Sequence, residues 1–469
     1  MTTTLVNHSK TAADIVAHAV TTTRAAAPAW AAAKRQPHLL SWKRLIHSRS
    51  DELIDLVCAE TGKSRADATI EVTLALEHLD WAARNASRVM SEQRVHRRLL
   101  AFNQSAVIRR QPFGVVGVIG PWNYPVFTPM GSISYALATG NAVVFKPSEY
   151  TPRTGQWLAQ TFAEAVPQHH AFEFVTGDGR TGQRLCEAEI DKLAFTGSGP
   201  TGRKVLAACA ERLVPVVMEL GGKDAAIIAD DADLVAAARS VLWGATFNSG
   251  QSCAGIEIAI AVSGVYDEFL EHLTQQAKDL VAGVDYGEMT TSTQREIVER
   301  HVASAVAAGA QVVVGSTTPI DGRVCEPVIL IDVPSDHPAM TDETFGPTVV
   351  VVRASNIDDA VAIANRSRYG LGAAVFSRRH GDSIARRLEV GMVSVNDVLA
   401  FGSSPELPFG GVKGSGFGRI HGDDGLREFT TAQAIMRRQF RSPIRISEPK
   451  LRRFDRVALK AVGTIIGRT

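Results

Sequence analysis

Cysteine is scarce in this chain and nothing suggests that it is paired. There are five among 469 residues, an odd number, widely spaced and with no C-x-x-C pair, so a disulfide scaffold is excluded and no zinc-site spacing is present. Such thiols fit a reducing, cytoplasmic compartment. No run of about 18 apolar residues occurs, so no membrane-spanning helix is expected. Residues 1–10 lack the basic start and apolar core of an export leader. Internal repeats and low-complexity linkers are also missing. What remains is 45% hydrophobic and 21% charged, ordinary for a globular enzyme with ample core, and the length is enough for about three domains.

Net charge is nearly absent as well, at +1, but it is unevenly placed. Residues 437–469 hold ten Lys or Arg against Glu448 and Asp455, a balance of +8 that leaves about −7 for the rest. A body of that sign is not a nucleic-acid binder. The tail also carries Phe454, Val457, Leu459, Val462, Ile465 and Ile466. Two readings stand for it. In one it packs on the acidic body or a neighbouring subunit, which is preferred because Gly463 and Gly467 weaken a helix. In the other it makes peripheral contact with an anionic membrane.

Residues 11–95 read as helices by their apolar periodicity and offer packing without evident chemistry. From Gly114 short apolar runs at 115–119, 142–146, 172–176, 192–196 and 214–220 alternate with helical stretches near 131–139, 151–166, 182–190 and 201–213. A second alternation has runs at 225–229, 257–262, 311–314, 328–333, 348–353, 373–376 and 392–395, with helices such as 266–281, 294–308 and 358–365. Strands alternating with helices mean parallel sheets covered on both faces, so two doubly wound α/β domains are expected. The expected division is 1–221, 222–420 and a returning segment 421–469. Ligands in such folds gather at the carboxyl ends of the strands. The basic stretch 94–112 suits a projecting β-ribbon, read either as a contact between subunits or as a surface hairpin.

Cys253 differs from the other cysteines. Cys58, Cys186 and Cys209 lie in helical patterns and Cys325 opens an apolar run, where a thiol behaves as a small hydrophobe. Cys253 instead sits in a small polar loop between a helix-like and a strand-like run. After the run at 192–195 comes Gly197-Ser198-Gly199-Pro200-Thr201-Gly202, a G-x-G-x-x-G between strand and helix, as a dinucleotide-binding turn requires. Glu219 stands about 20 residues further on, where the conventional pattern puts a ribose-binding acid.

Seven blocks then fall in one order: 120–125 (GPWNYP), 140–149 (GNAVVFKPSE), 195–198 (FTGS), 219–222 (ELGG), 250–253 (GQSC), 343–347 (ETFGP) and 408–411 (PFGG). In these the chain resembles the aldehyde dehydrogenase superfamily of the non-acylating, NAD(P)-dependent type. The resemblance implies a Rossmann-like NAD-binding domain, a catalytic domain and a ribbon for oligomerisation into a homodimer or homotetramer. It implies a small-molecule aldehyde as substrate and no metal. The cofactor-binding residues it implies are Lys146, Glu149, Trp122, Gly197, Ser198, Gly202, Glu343 and Phe345. The ribose passes to Lys146 and Glu149, which frees Glu219 for catalysis. A carboxylate accepts from a diol and repels a 2′-phosphate, so Glu149 points to NAD, while Lys146 leaves NADP open.

By the same resemblance Cys253 is the nucleophile, Asn123 and the Cys253 amide stabilise the oxyanion, and Glu219 activates the water that releases the acid. Glu343 would hold the nicotinamide ribose and Phe345 would pack on the ring. Pro200 within the glycine turn departs from the pattern, leaving the pyrophosphate contacts open. Thr128 and Gly131 stand where bulkier residues often line the pocket, which points to a wide channel. Alternatives remain: transfer of the acyl group to coenzyme A, a cysteine hydrolase needing no dinucleotide, or a binding protein without activity.

Overall fold

The alternating runs resolve into three sheets. The computed structural model describes residues 11–96, 98–316, 322–442, 444 and 449–468; the first ten residues, read above for a leader, and Arg445 and Glu448 of the tail lie outside these. Four helices lead the chain, Ala12–Ala32, Arg35–Ser48, Ser50–Thr61 and Arg65–Val89. Thr11 starts the first by accepting from the Asp14 amide at 3.2 Å, while Asp14 accepts from the Thr11 amide at 3.0 Å. This reciprocal cap satisfies amides that a helix start otherwise leaves open. Ser64 caps the fourth in the same way, through the Asp67 amide at 3.1 Å.

The first sheet has six strands, in the order Gly416–Phe417, Val216–Glu219, Lys192–Thr196, Val115–Ile119, Ala142–Lys146 and Phe172–Phe174. Only the first of these runs antiparallel, pairing Gly416 with Glu219. Its central strands are apolar along their length because helices cover both faces, which is how parallel sheets are buried. The leading helices pack one face through Trp30 and Trp42, which meet Phe162 of the helix Pro152–Ala165, all three fully buried. Trp30 also donates from Nε1 to the Leu137 carbonyl at 3.0 Å, so its polar atom is satisfied inside the core.

The second sheet has seven strands, in the order Gln311–Val314, Val328–Ile331, Thr348–Ala354, Ile256–Val262, Asp224–Ile228, Gly372–Phe376 and Met392–Val395. All are parallel except Gln311–Val314 at the edge. The ribbon forms as expected but with a partner that sequence periodicity did not show. Gln104–Pro112 pairs with Gln93–Val95 on one side and with Thr430–Arg438 on the other, in register from Thr430 opposite Pro112 to Arg438 opposite Gln104. The end of the chain thus returns to the first half of the molecule.

Two expectations change. Cys325 lies in the loop ahead of Val328–Ile331, outside the strand itself. The tail forms a helix, Arg453–Ile466, despite Gly463 within it. Among the described residues no helix is long and apolar enough to cross a membrane.

The packing of Trp30 yields an expectation for stability. Trp30→Ala removes a fully buried indole and its hydrogen bond, and should destabilise the first domain by about 3–5 kcal/mol. The check is the shift of that domain's unfolding midpoint in urea.

Candidate active site

The loop bearing Cys253 is built from unusual backbone. After the helix Leu234–Thr246, Asn248, Ser249 and Gly250 all take the left-handed conformation, with φ of 53°, 57° and 69°. For residues with a side chain this costs energy and persists only where the surroundings enforce it. Here they do. The Asn248 amide donates to Asp67 at 3.3 Å, and Asn248 Nδ2 donates to the Asn123 carbonyl at 3.0 Å. Ser249 Oγ donates to the Gly287 carbonyl at 2.8 Å, and Gln251 Oε1 accepts from the Thr290 amide at 2.8 Å. Gly250 cannot be replaced here, since a Cβ on it would sit 2.1 Å from the Gly346 carbonyl oxygen. The loop is therefore clamped between the leading helices and the second domain, and it ends on Cys253.

Asn123 lies behind this loop. Its Nδ2 donates to the Gln251 carbonyl at 2.9 Å, two residues before Cys253, and it is buried. The side chain keeps a second amide hydrogen, because a primary amide has two. Beneath Asn123 is a pair that the sequence reading passed over as packing material. Lys63 and Glu71, both with side chains fully buried, form an ion pair at 2.5 Å. Lys63 donates to the Asn123 carbonyl at 2.8 Å, and Glu71 accepts from the amides of Val126 and Phe127 at 2.7 and 3.1 Å. A buried pair of this kind is tolerated when the remaining lone pairs and protons are also used. One signal was available: Glu71 falls on the stripe of Ala68, Val72 and Ala75, the buried face of its helix.

Glu219 ends the strand Val216–Glu219 and is buried, and neither carboxyl oxygen has a partner among the described residues. Burial drives its carboxyl well above the usual carboxylate range, opposed by the Arg419 charge. Cys253 and Glu219 both line one cavity of about 330 Å³, whose other walls include Phe127, Phe247, Phe401 and Phe409. Burial also pushes the Cys253 thiol up, and the carboxyls of Glu343, Glu219 and Asp224 push in the same direction. The thiol is therefore held protonated until a positive charge or a donor arrives.

The expected wide channel is not formed at Gly131. A Cβ there would lie 2.6 Å from His421 Nε2, so the imidazole occupies the space that the glycine leaves. Thr128 does line the cavity. His421 is itself left-handed, with φ of 63°, and burial holds it neutral, as it does its neighbour His78, whose value falls to about 4.

A second and larger cleft, about 970 Å³, opens along the carboxyl ends of the first sheet. Trp122, Lys146, Glu149, Gly197 and Ser198 line it. Gly202 lies one turn into the helix Gly199–Ala210, whose N-terminus opens on the cleft, and does not line it. The order of the sheet reverses direction between Val115–Ile119 and Lys192–Thr196, so two loops part there and leave a crevice. Lys146 ends its strand, donates to the Pro147 carbonyl at 2.8 Å and stands 3.8 Å from Glu149. Burial lowers its ammonium, and the Glu149 carboxylate opposes that shift.

Glu343 and Phe345 are outside the walls of this cleft but next to it. Glu343 accepts from the Gly222 amide at 3.1 Å, and burial together with repulsion from Glu257 lifts its carboxyl to about 8. Phe345, at φ of 57°, meets the edge of Trp122 at 5.5 Å between ring centroids. Phe345 and Thr344, next to Glu343, are held by Glu257, which the sequence reading did not single out. It accepts from the amides of Thr344 and Phe345 at 2.9 Å each and from Lys223 at 2.5 Å, with Lys223, Glu257 and Thr344 all buried. A charged residue at the start of an otherwise apolar strand was the available hint. The described residues hold no cluster of His, Cys, Asp and Glu suited to a metal, and the five cysteines are unpaired.

This arrangement was compared with known proteins. The family model described as "Aldehyde dehydrogenase family" matches residues 2–435. The 4,4'-diapolycopene aldehyde oxidase of Methylomonas is 37% identical over 429 residues, 89% of this chain and 80% of that protein. Among solved structures, the NAD-dependent aldehyde dehydrogenase of Sinorhizobium meliloti superimposes with a TM-score of 0.88 at 31% identity, covering 92% of this chain and 88% of that one. An NADP-dependent enzyme of E. coli superimposes with a TM-score of 0.86 at 32% identity, covering 90% of each. With the cysteine loop, the carboxylate-lined cavity and the adjoining cleft agreeing with a match along nearly the whole length, the chain belongs to the aldehyde dehydrogenase family.

Proposed function

We propose that this chain oxidises a hydrophobic aldehyde to the free carboxylic acid, with NAD as the hydride acceptor. The observation that carries the proposal is that Cys253 and Glu219 share the wall of one small cavity lined by aromatic rings. A thiol and an unpartnered carboxyl in such a place suit two successive steps, capture of a carbonyl and activation of water. The walls favour an apolar chain or ring.

In the first step the Cys253 S–H bond breaks, its proton passing to water as the positive charge of a bound nicotinamide would favour, and the thiolate sulfur bonds to the aldehyde carbon while the carbonyl oxygen becomes an oxyanion. The free hydrogen of Asn123 Nδ2 and the Cys253 amide are its donors. The nicotinamide, when bound, supplies the hydride acceptor that turns this adduct into a thioester. Glu219 then takes a proton from water as the water oxygen attacks the thioester carbon, and the sulfur leaves as thiolate. Lys63 and Glu71 act from beneath by fixing the carbonyl of Asn123 and the turn after it. Retention of Glu219 in the cavity supports water over coenzyme A as acyl acceptor.

The residues of the large cleft fit a dinucleotide. Glu149 keeps 49% of its side chain exposed and so can accept from a ribose diol. The start of Gly199–Ala210 presents free amides for a pyrophosphate, as helix N-termini do. The Glu149 carboxylate would repel a 2′-phosphate, which supports NAD; the two solved relatives named above, one NAD-dependent and one NADP-dependent, leave both nucleotides within the family's range. The projecting ribbon, with Leu99, Leu100 and Met436 exposed, supports pairing of two or four copies through that element. Five unpaired thiols support a cytoplasmic setting.

Cys253→Ala should reduce turnover by at least about 10³-fold, since no other thiol is among the described residues lining the cavity. NAD binding, followed by quenching of tryptophan fluorescence, should be retained. Residual turnover near that of the parent protein would refute the covalent route.

Glu219→Gln should lower steady-state turnover by about 10²–10⁴-fold while keeping a first burst of NADH. The sign of the pH effect follows from the raised carboxyl. Glu219 must be ionised to accept a proton, so turnover should rise with pH through its elevated value and level off above it. The glutamine variant should lose that limb. Stopped-flow absorbance across pH measures both.

Glu149→Gln should narrow the ratio of kcat/KM for NAD over NADP roughly tenfold, a change of about 1.4 kcal/mol. Steady-state assays with the two nucleotides check this, and an unchanged ratio would remove Glu149 from the ribose.

A further inference from the structure

The family match ends at residue 435, yet the chain continues and folds again into the helix Arg453–Ile466. Its side chains divide cleanly by helical spacing. Arg453, Arg456 and Lys460 make one stripe. Phe454, Val457, Ala461 and Ile465 make another, widened by Ala458, Val462 and Ile466.

In a soluble protein such an apolar stripe is normally turned inward. Here Phe454, Val457, Ile465 and Ile466 are 62%, 63%, 55% and 50% exposed. The basic side chains are exposed too. The helix has one acidic residue, Asp455, which is buried and held by Arg452 at 2.8 and 2.9 Å. Its exposed surface therefore carries only positive charge beside the apolar strip of Phe454, Val457, Ala461 and Ile465, while Asp455, on the side of Ala458 and Val462, is buried. Arg437, Arg438, Arg441, Lys450 and Arg468 add exposed positive charge on either side.

We propose that this helix docks on anionic lipid surfaces, lying in the membrane plane with its apolar stripe inserted and its basic side chains at the headgroups. Its 14 residues extend about 21 Å, too short to span a bilayer but suited to lying on one. Stable attachment of this kind needs two signals, and both are present: apolar area alone or charge alone binds weakly. An acidic second copy of the body would also attract the charges. It would not call for an uninterrupted apolar strip flanked by cations, which is the pattern a headgroup boundary requires. Binding at the membrane would bring the enzyme to apolar aldehydes, but the proposal does not depend on the reading of the chemistry.

The test uses the full-length protein sedimented with vesicles of phosphatidylcholine alone and of phosphatidylcholine mixed with phosphatidylglycerol. The parent protein should partition onto the mixed vesicles only, and salt should release it. Arg453→Gln/Arg456→Gln/Lys460→Gln should weaken binding by about 100-fold, at roughly fivefold per charge. Val457→Ser/Ile465→Ser should weaken it at least tenfold while leaving the charge unchanged. These exposed positions should not affect folding, and circular dichroism of each variant checks that. Absence of partitioning by the parent, or equal partitioning of parent and variants, overturns the proposal. A fall in the solution mass of the assembly in either variant, with vesicle binding unaltered, assigns the helix to a second copy instead and overturns it too.

Discussion

Everything near the reactive thiol depends on a loop that the backbone by itself would not adopt. Asn248, Ser249 and Gly250 run through left-handed space in succession, and two of the three have side chains that make this costly. The loop holds because its polar groups are bonded to parts of the chain far away in sequence: Asp67 in a leading helix, Asn123 after the first sheet's opening strand, Gly287 and Thr290 in the second domain. A buried donor or acceptor left without a partner costs more than a typical hydrogen bond contributes, so these contacts hold the loop together. The position of the sulfur is thus a property of the whole junction.

Charge is handled in two opposite ways around that junction. Glu71 and Glu257 are paired with Lys63 and Lys223 and saturated with backbone amides, so they act as fixed braces. Among the described residues Glu219 has no ion-pair partner and no hydrogen bond, and pays for its burial with a raised pKa. The contrast has a chemical sense. A brace must hold still, whereas the base proposed for water must be able to take up and give back a proton. Burial, and after it the carboxyls of Glu343, Glu219 and Asp224, likewise raise the Cys253 thiol.

The two sheets divide the work. The first presents its strand ends to a long cleft with the Glu149 carboxylate and a helix N-terminus among its walls. The second delivers the cysteine loop and, through Glu257, the segment holding Glu343 and Phe345. Trp122 against Phe345 is where the cleft and the half bearing Cys253 meet. The ribbon's third strand, Thr430–Arg438, ties the end of the family match back to the first half.

Much of this was legible in the residues. Apolar runs alternating with helices identified both doubly wound sheets, because a strand covered on both faces must be apolar along its length. The ordered blocks located Cys253, Glu219, Asn123 and the cleft-facing residues. Other features depend on contacts between distant segments, which periodicity does not record. Lys63 and Glu71 looked like ordinary helix residues until the fold buried them under Asn123. Gly131 suggested open space until His421, 290 positions later by its number, occupied it. Gly463 argued against a helix in the tail, but its cost of about 1 kcal/mol is small beside the rest of the segment's helical preference. Local sequence determined which elements form and which groups carry chemistry. Tertiary structure alone decided which charges lost their water, which found a partner, and hence which hold the site still and which can exchange a proton.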